Sequence, residues 1–79
     1  MLRNPINVGL KSNEFLRGKV KWFDEKRGYG FILDNARNEY FVHISKVKGN
    51  VYLKTDQRVR FKTIKAFKGT QACEVEIDD

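Results

Sequence analysis

Gly18-Lys19-Val20-Lys21-Trp22-Phe23, Arg27-Gly28-Tyr29-Gly30-Phe31-Ile32 and Tyr40-Phe41-Val42-His43-Ile44-Ser45 are the three stretches on which the fold turns. Each is short, rich in Val, Ile, Phe and Tyr, and bounded by Gly, Asn or Asp. That is the pattern of strands joined by tight turns, with no sustained 3.6-residue apolar period. In a strand, Tyr29 and Phe31 share one face while Gly30 and Ile32 take the other; Phe41 and His43 likewise oppose Val42 and Ile44. The β-branched set Val20, Ile32, Val42 and Ile44 is the natural core lining, which leaves Tyr29, Phe31, Phe41 and His43 outside. Trp22 is out of step. Strict alternation puts it inside with Val20, and Lys19, Lys21 and Phe23 outside, so an exposed indole requires a bulge or sharp bend in the first strand.

Outward from these stretches, five strand-like runs can be marked: 19–23, 29–33, 39–44, 58–65 and 70–77, with turns at 24–28, 34–38 and 66–69. The connection 45–57 is longer and has room for one helical turn. So many short strands in so small a domain are more economically closed into a barrel than left as an open sheet, because closure removes unpaired edges. The expected fold is all-β, a five-stranded antiparallel oligonucleotide-binding (OB) barrel; an SH3-like barrel has a similar strand count. Residues 1–14, with Pro5, Gly9 and scattered Asn, read as an N-terminal extension, mobile or loosely docked, ahead of a domain spanning 15–79.

The whole chain has 79 residues, enough for one small domain with a thin core. No apolar run exceeds three residues, far short of the roughly 20 of a membrane-spanning helix. One cysteine and one histidine provide neither an internal disulfide nor a Cys/His zinc set, and neither metal nor cofactor is expected. Cys73 reads as a small buried hydrophobe. The N-terminus lacks the continuous apolar stretch of a secretory signal, so a cytoplasmic location is expected. Net charge is +6, which makes a polyanion the first partner to consider. Residues 46–69 carry +7 and are the expected phosphate footprint, with a solvated strand face as the bland alternative; residues 70–79 carry −4.

Ten aromatic residues are many for so thin a core. Aromatics on a basic sheet match single-stranded nucleic acid, since every base has a π-face and stacking contributes about 1–3 kcal/mol per base. Gly28 and Gly30 fit this picture, a missing side chain letting a ligand backbone or a neighbouring strand approach. Phe15 and Phe61 read as packing residues, and Gly18, Gly49 and Gly69 as turn geometry.

The three quoted stretches resemble the cold-shock domain of bacterial cold-shock and eukaryotic Y-box proteins, over residues 15–77. A K-V-K-W-F opening, Arg27–Phe31 resembling the K-G-F-G-F-I motif, Tyr40–Ser45 resembling V-F-V-H-F-S, and a G-x-Q-A element at 69–72 carry the resemblance together. It implies a five-stranded antiparallel barrel that binds single-stranded RNA and DNA with low sequence specificity, as an RNA chaperone or a regulator of transcription or translation. It assigns base stacking to Trp22, Tyr29, Phe31, Phe41 and His43, places Lys21 and Arg27 near the backbone of the strand, and sets Phe23 at the rim.

Several positions depart from the family pattern. Ile44 stands where many members have Phe, removing one ring. Tyr40 replaces an aliphatic core residue, so either its hydroxyl reaches the surface or the packing differs. The 45–57 connection is shortened, with Tyr52 set against the family's loop aromatic. Thr70 stands where Pro is frequent, and Phe67 and Lys68 in the preceding loop add a ring and a charge.

The expected state is a monomer, with a domain-swapped dimer as the alternative, and no membrane association. No catalysis is expected. The competing readings are a protein- or ribosome-docking OB module, and a small ribonuclease relying on His43.

Overall fold

The computed structural model describes residues 10–67 and 69–78. Six strands follow one another: β1 (Leu10–Lys11), β2 (Leu16–Asp24), β3 (Tyr29–Asp34), β4 (Glu39–His43), β5 (Arg58–Ala66) and β6 (Gly69–Ile77). Two short 3₁₀ turns, Ile44–Lys46 and Lys48–Asn50, occupy the long connection after β4. The strands run β5-β2-β3-β4-β6 in space, and a β5–β6 pairing closes them into a five-stranded barrel. This is the expected OB-type architecture. All its neighbours are antiparallel except β4 and β6, which meet in parallel at Phe41 and Gln71.

Of the N-terminal extension, residues 1–9 lie outside the described residues. Leu10 and Lys11 pair with Lys65 and Ile64 at the far end of β5, and the Ser12 N–H donates to the Thr63 carbonyl at 2.8 Å.

Inside the barrel, Val20, Ile32, Val42, Val59, Phe61 and Val75 are wholly buried, with Tyr40, Val47, Leu53 and Ala72 completing the cluster. Ile44, expected among the lining, instead opens the first 3₁₀ turn and is half-buried, because the chain leaves the sheet at His43. Tyr40 does face inward. Its ring lies 5.1 Å from that of Phe61, and its hydroxyl reaches Asp34 Oδ2 at 2.8 Å, so the one polar atom of this core ring is satisfied at the barrel's rim.

Two bulges set the facing of side chains. On β2 the pairing runs Val20 with Ile32 and then Trp22 with Phe31, which leaves Lys21 as an extra residue. That slip turns Trp22 outward and swings Phe23 toward the core. On β6, Lys62 pairs with Cys73 and Arg60 with Glu76, so Phe61 faces two residues, and Glu74 takes a φ of 48°. The slip lets neighbouring Ala72 and Cys73 both be buried.

Gly30 is required by close strand approach: a Cβ there would lie 2.1 Å from the Trp22 carbonyl oxygen and 2.7 Å from Phe23 Cα. Gly18, read from sequence as a turn residue, sits mid-strand in β2 for the same reason, its missing Cβ clearing the Leu33 carbonyl oxygen.

Candidate nucleic-acid interface

The outer face of β2, β3 and β4 gathers the aromatics singled out in the sequence. Antiparallel register places Tyr29 opposite His43 and Phe31 opposite Phe41, while the β2 bulge brings Trp22 opposite Phe31. Four rings form a closed circuit: Trp22 to Phe31 at 5.4 Å, Phe31 to Phe41 at 5.8 Å, Phe41 to Tyr29 at 5.5 Å, and Tyr29 to Trp22 at 5.8 Å. Trp22 is 37% exposed, and the other three are half-buried on this outer face. Tilted and edge contacts hold each ring against its neighbours.

His43 stands exposed at the end of β4 and caps the first 3₁₀ turn. The Ser45 N–H donates to its Nδ1 at 3.1 Å, and the Ser45 hydroxyl lies 2.9 Å from the same nitrogen. An accepting Nδ1 places the proton of the neutral ring on Nε2. The partner of this imidazole is thus a serine in its own turn, which orients the ring.

Phe23 lies apart from the circuit, packed partly against the core with its ring 6.4 Å from that of Tyr52. Tyr52 is 51% exposed and extends the aromatic surface from that side. Phe67, 91% exposed, projects from the β5–β6 turn; its neighbour Lys68 lies outside the described residues. A cleft of about 430 Å³ opens beside Phe31 and Phe41, reaching Gly69, Thr70 and Gln71 of β6.

Both cations expected near the strand backbone are held by carboxylates. Lys21 Nζ donates to Glu39 Oε2 at 2.8 Å, and Arg27 Nε lies 3.8 Å from Asp24 Oδ2. The Tyr29 hydroxyl, then Asp24, holds the Arg27 guanidinium above its ordinary pKa, so its charge is secure. Glu39 also lines the cleft beside Phe31 and Phe41. It was not among the residues expected at this face, although β4 alternation puts Glu39 on the same side as Phe41 and His43.

Asp34, at the end of β3, fixes the turn leading into β4. Its Oδ1 accepts the N–H groups of Ala36 and Asn38 at 2.8 and 2.9 Å, and its Oδ2 accepts from Asn38 Nδ2 and the Tyr40 hydroxyl. Burial alone would raise its pKa, but the bonds from Asn38, Tyr40 and Ala36 outweigh that and hold it below the usual value. The Tyr40 phenol is correspondingly raised, first by burial and then by Asp34.

Two sequence expectations are corrected. Phe15 is not a packing residue: it is 38% exposed on the barrel's outside, with Arg60 Cζ 4.6 Å and Lys62 Nζ 4.9 Å from its ring centre. The basic run 46–69 is not a continuous row of unpaired cations either. Within it, Arg60 bonds Glu76 at 2.9 Å and Lys62 lies 3.4 Å from Glu74, because β6 folds its acidic residues back against β5.

Residues 16–77 match the model of the "cold-shock" DNA-binding domain. The chain belongs to the cold-shock domain family. A cold shock-like protein of Thermotoga maritima is 45% identical over 64 residues, covering 78% of this chain and 97% of that protein. The major cold shock protein CspA of Pseudomonas aeruginosa is 39% identical over 62 residues, covering 76% and 90%; the cold shock protein CspB of Bacillus caldolyticus is 39% identical over 61, covering 75% and 92%. The matched segment of this cold-shock domain contains β2 through β6, and so the entire ring circuit with Glu39, Asp34 and Tyr40.

Proposed function

We propose that this cold-shock protein binds single-stranded RNA and DNA with low sequence specificity, and acts as an RNA chaperone or as a regulator of transcription or translation. The observation that carries the reading is the outward circuit of Trp22, Tyr29, Phe31 and Phe41 with His43 beside it, in a chain of net charge +6. Bases stack on these rings whatever their identity, Tyr52 and Phe67 extend the surface, and Lys21, Arg27 and Lys68 neutralise phosphates. Paired bases hide their faces, so the protein holds the open strand and shifts the pairing equilibrium by mass action. No bond is made or broken.

Titration with an unstructured oligonucleotide and with its duplex, followed by Trp22 fluorescence, tests this. The single strand quenches Trp22 and the duplex does not, and affinity falls with salt at a slope of about −0.7 per phosphate neutralised. Equal response to both, or none to either, would rule the reading out.

A further inference from the structure

β2 and β5 lie side by side with like charges directly across from one another. Arg17 pairs in register with Arg60 and Lys19 with Arg58. Cross-strand like charges destabilise a sheet, so this arrangement needs an explanation beyond folding. Carboxylates answer only one end of it: Arg60 bonds Glu76 at 2.9 Å and Arg17 lies 3.5 Å from Asp78. Lys19 and Arg58, both exposed, have no carboxylate partner among the described residues. Between these strands and the β3–β4 turn runs a groove of about 420 Å³, lined by Arg17, Lys19, Arg58, Asn35 and Asp78 and floored by Gly18.

Strand β2 links the groove to the aromatic face. Along the outer side of β2 the order is Arg17, Lys19, the bulged Lys21 and then Trp22. Two residues of strand advance about 6.6 Å, the reach of one extended nucleotide. We infer that the groove of Lys19, Arg58 and Arg17 is a second, phosphate-directed subsite for the same single strand, taking the backbone as it leaves the rings at Trp22. The inference rests on the stacking reading and adds that bound strands extend past the platform along β2. Stacking would supply nothing there. Its contribution is charge, and so appears as salt dependence.

The test compares a homopyrimidine strand of about six nucleotides, matched to the platform, with one of about twelve, within the site sizes of OB folds. Longer strands offer more binding registers, which raises affinity without changing the salt slope, so the slope is the diagnostic. For the wild type, the long strand should show a slope steeper by about 1.4 than the short one, two phosphates at about 0.7 each. The double variant Lys19→Gln, Arg58→Gln should lose that difference and bind the short strand within twofold of wild type. Removing a cross-strand repulsion leaves the fold at least as stable, which its thermal midpoint checks. Arg58→Glu, which sets opposite charges across the strands, should raise the midpoint at low salt and also abolish the long-strand increment. If the short strand fails to bind wild type, the stacking reading falls and this one with it. If the short strand binds but the variants keep the steeper long-strand slope, the groove is no subsite and the stacking reading stands.

Discussion

Phe31 is the ring whose removal is most informative, because it touches both Trp22 at 5.4 Å and Phe41 at 5.8 Å and borders the cleft toward β6. Phe31→Ala removes one stacking surface, about 1–3 kcal/mol. At tenfold per 1.4 kcal/mol, that weakens Kd by about 5- to 150-fold. The same change deletes two ring pairs of about 0.5–1.5 kcal/mol each, so some stability is lost as well. Phe31→Leu separates the two effects: it retains apolar bulk against Trp22 and Phe41 but has no π-face. Binding should fall nearly as far in Phe31→Leu as in Phe31→Ala, while the thermal midpoint falls much less. Anisotropy of a labelled strand is the suitable assay, since either substitution also alters the environment of Trp22. Kd within twofold of wild type in both folded variants would refute base stacking at this ring.

Further outcomes follow from other contacts. Glu39→Gln frees Lys21 from its 2.8 Å ion pair and removes a negative charge from the cleft; single-strand affinity should rise and the salt slope steepen by about 0.7. That exposed pair contributes at most about 1 kcal/mol, so urea midpoints should barely move. Asp34→Asn should cost about 1–3 kcal/mol at neutral pH, as the carboxylate loses part of its four-bond set. Because the folded pKa of Asp34 is depressed, its contribution is fully present above the unfolded value near 3.9 and is lost as pH falls through the folded one. The stabilities of wild type and Asp34→Asn should therefore begin to converge as pH falls below about 4. Gly30→Ala forces a Cβ onto the Trp22 carbonyl and should destabilise by about 3 kcal/mol or more, with the β2–β3 hairpin distorted; a near-native thermal midpoint would contradict the close approach of those strands.

Much of this architecture is visible in local residue order. Alternation alone separates Ile32 and Val42 from Tyr29, Phe31, Phe41 and His43, because a pleated strand sends neighbours to opposite faces. The need for a bulge before Trp22 is visible too, as a conflict between alternation and an exposed indole, and the unpaired Lys21 resolves it. What alternation could not convey is the consequence one residue later, where the same slip draws Phe23 toward the core and Tyr52. Phe15 misled because apolar character says nothing of neighbours: here two cations from β5 lie over its ring.

Charge was the least readable feature, since summed charge has no direction. The +7 of residues 46–69 is a property of chain order, but a phosphate meets only the charges that share its face. Residue types and their period of two are carried by the chain itself, and they suffice for strands, an inner lining and an outer aromatic set. Which strands meet is a matter of closure across long stretches of chain. Closure put Glu76 against Arg60, left Lys19 facing Arg58, and seated Glu39 over Lys21, because electrostatic partners are chosen by distance in space, which residue order does not encode.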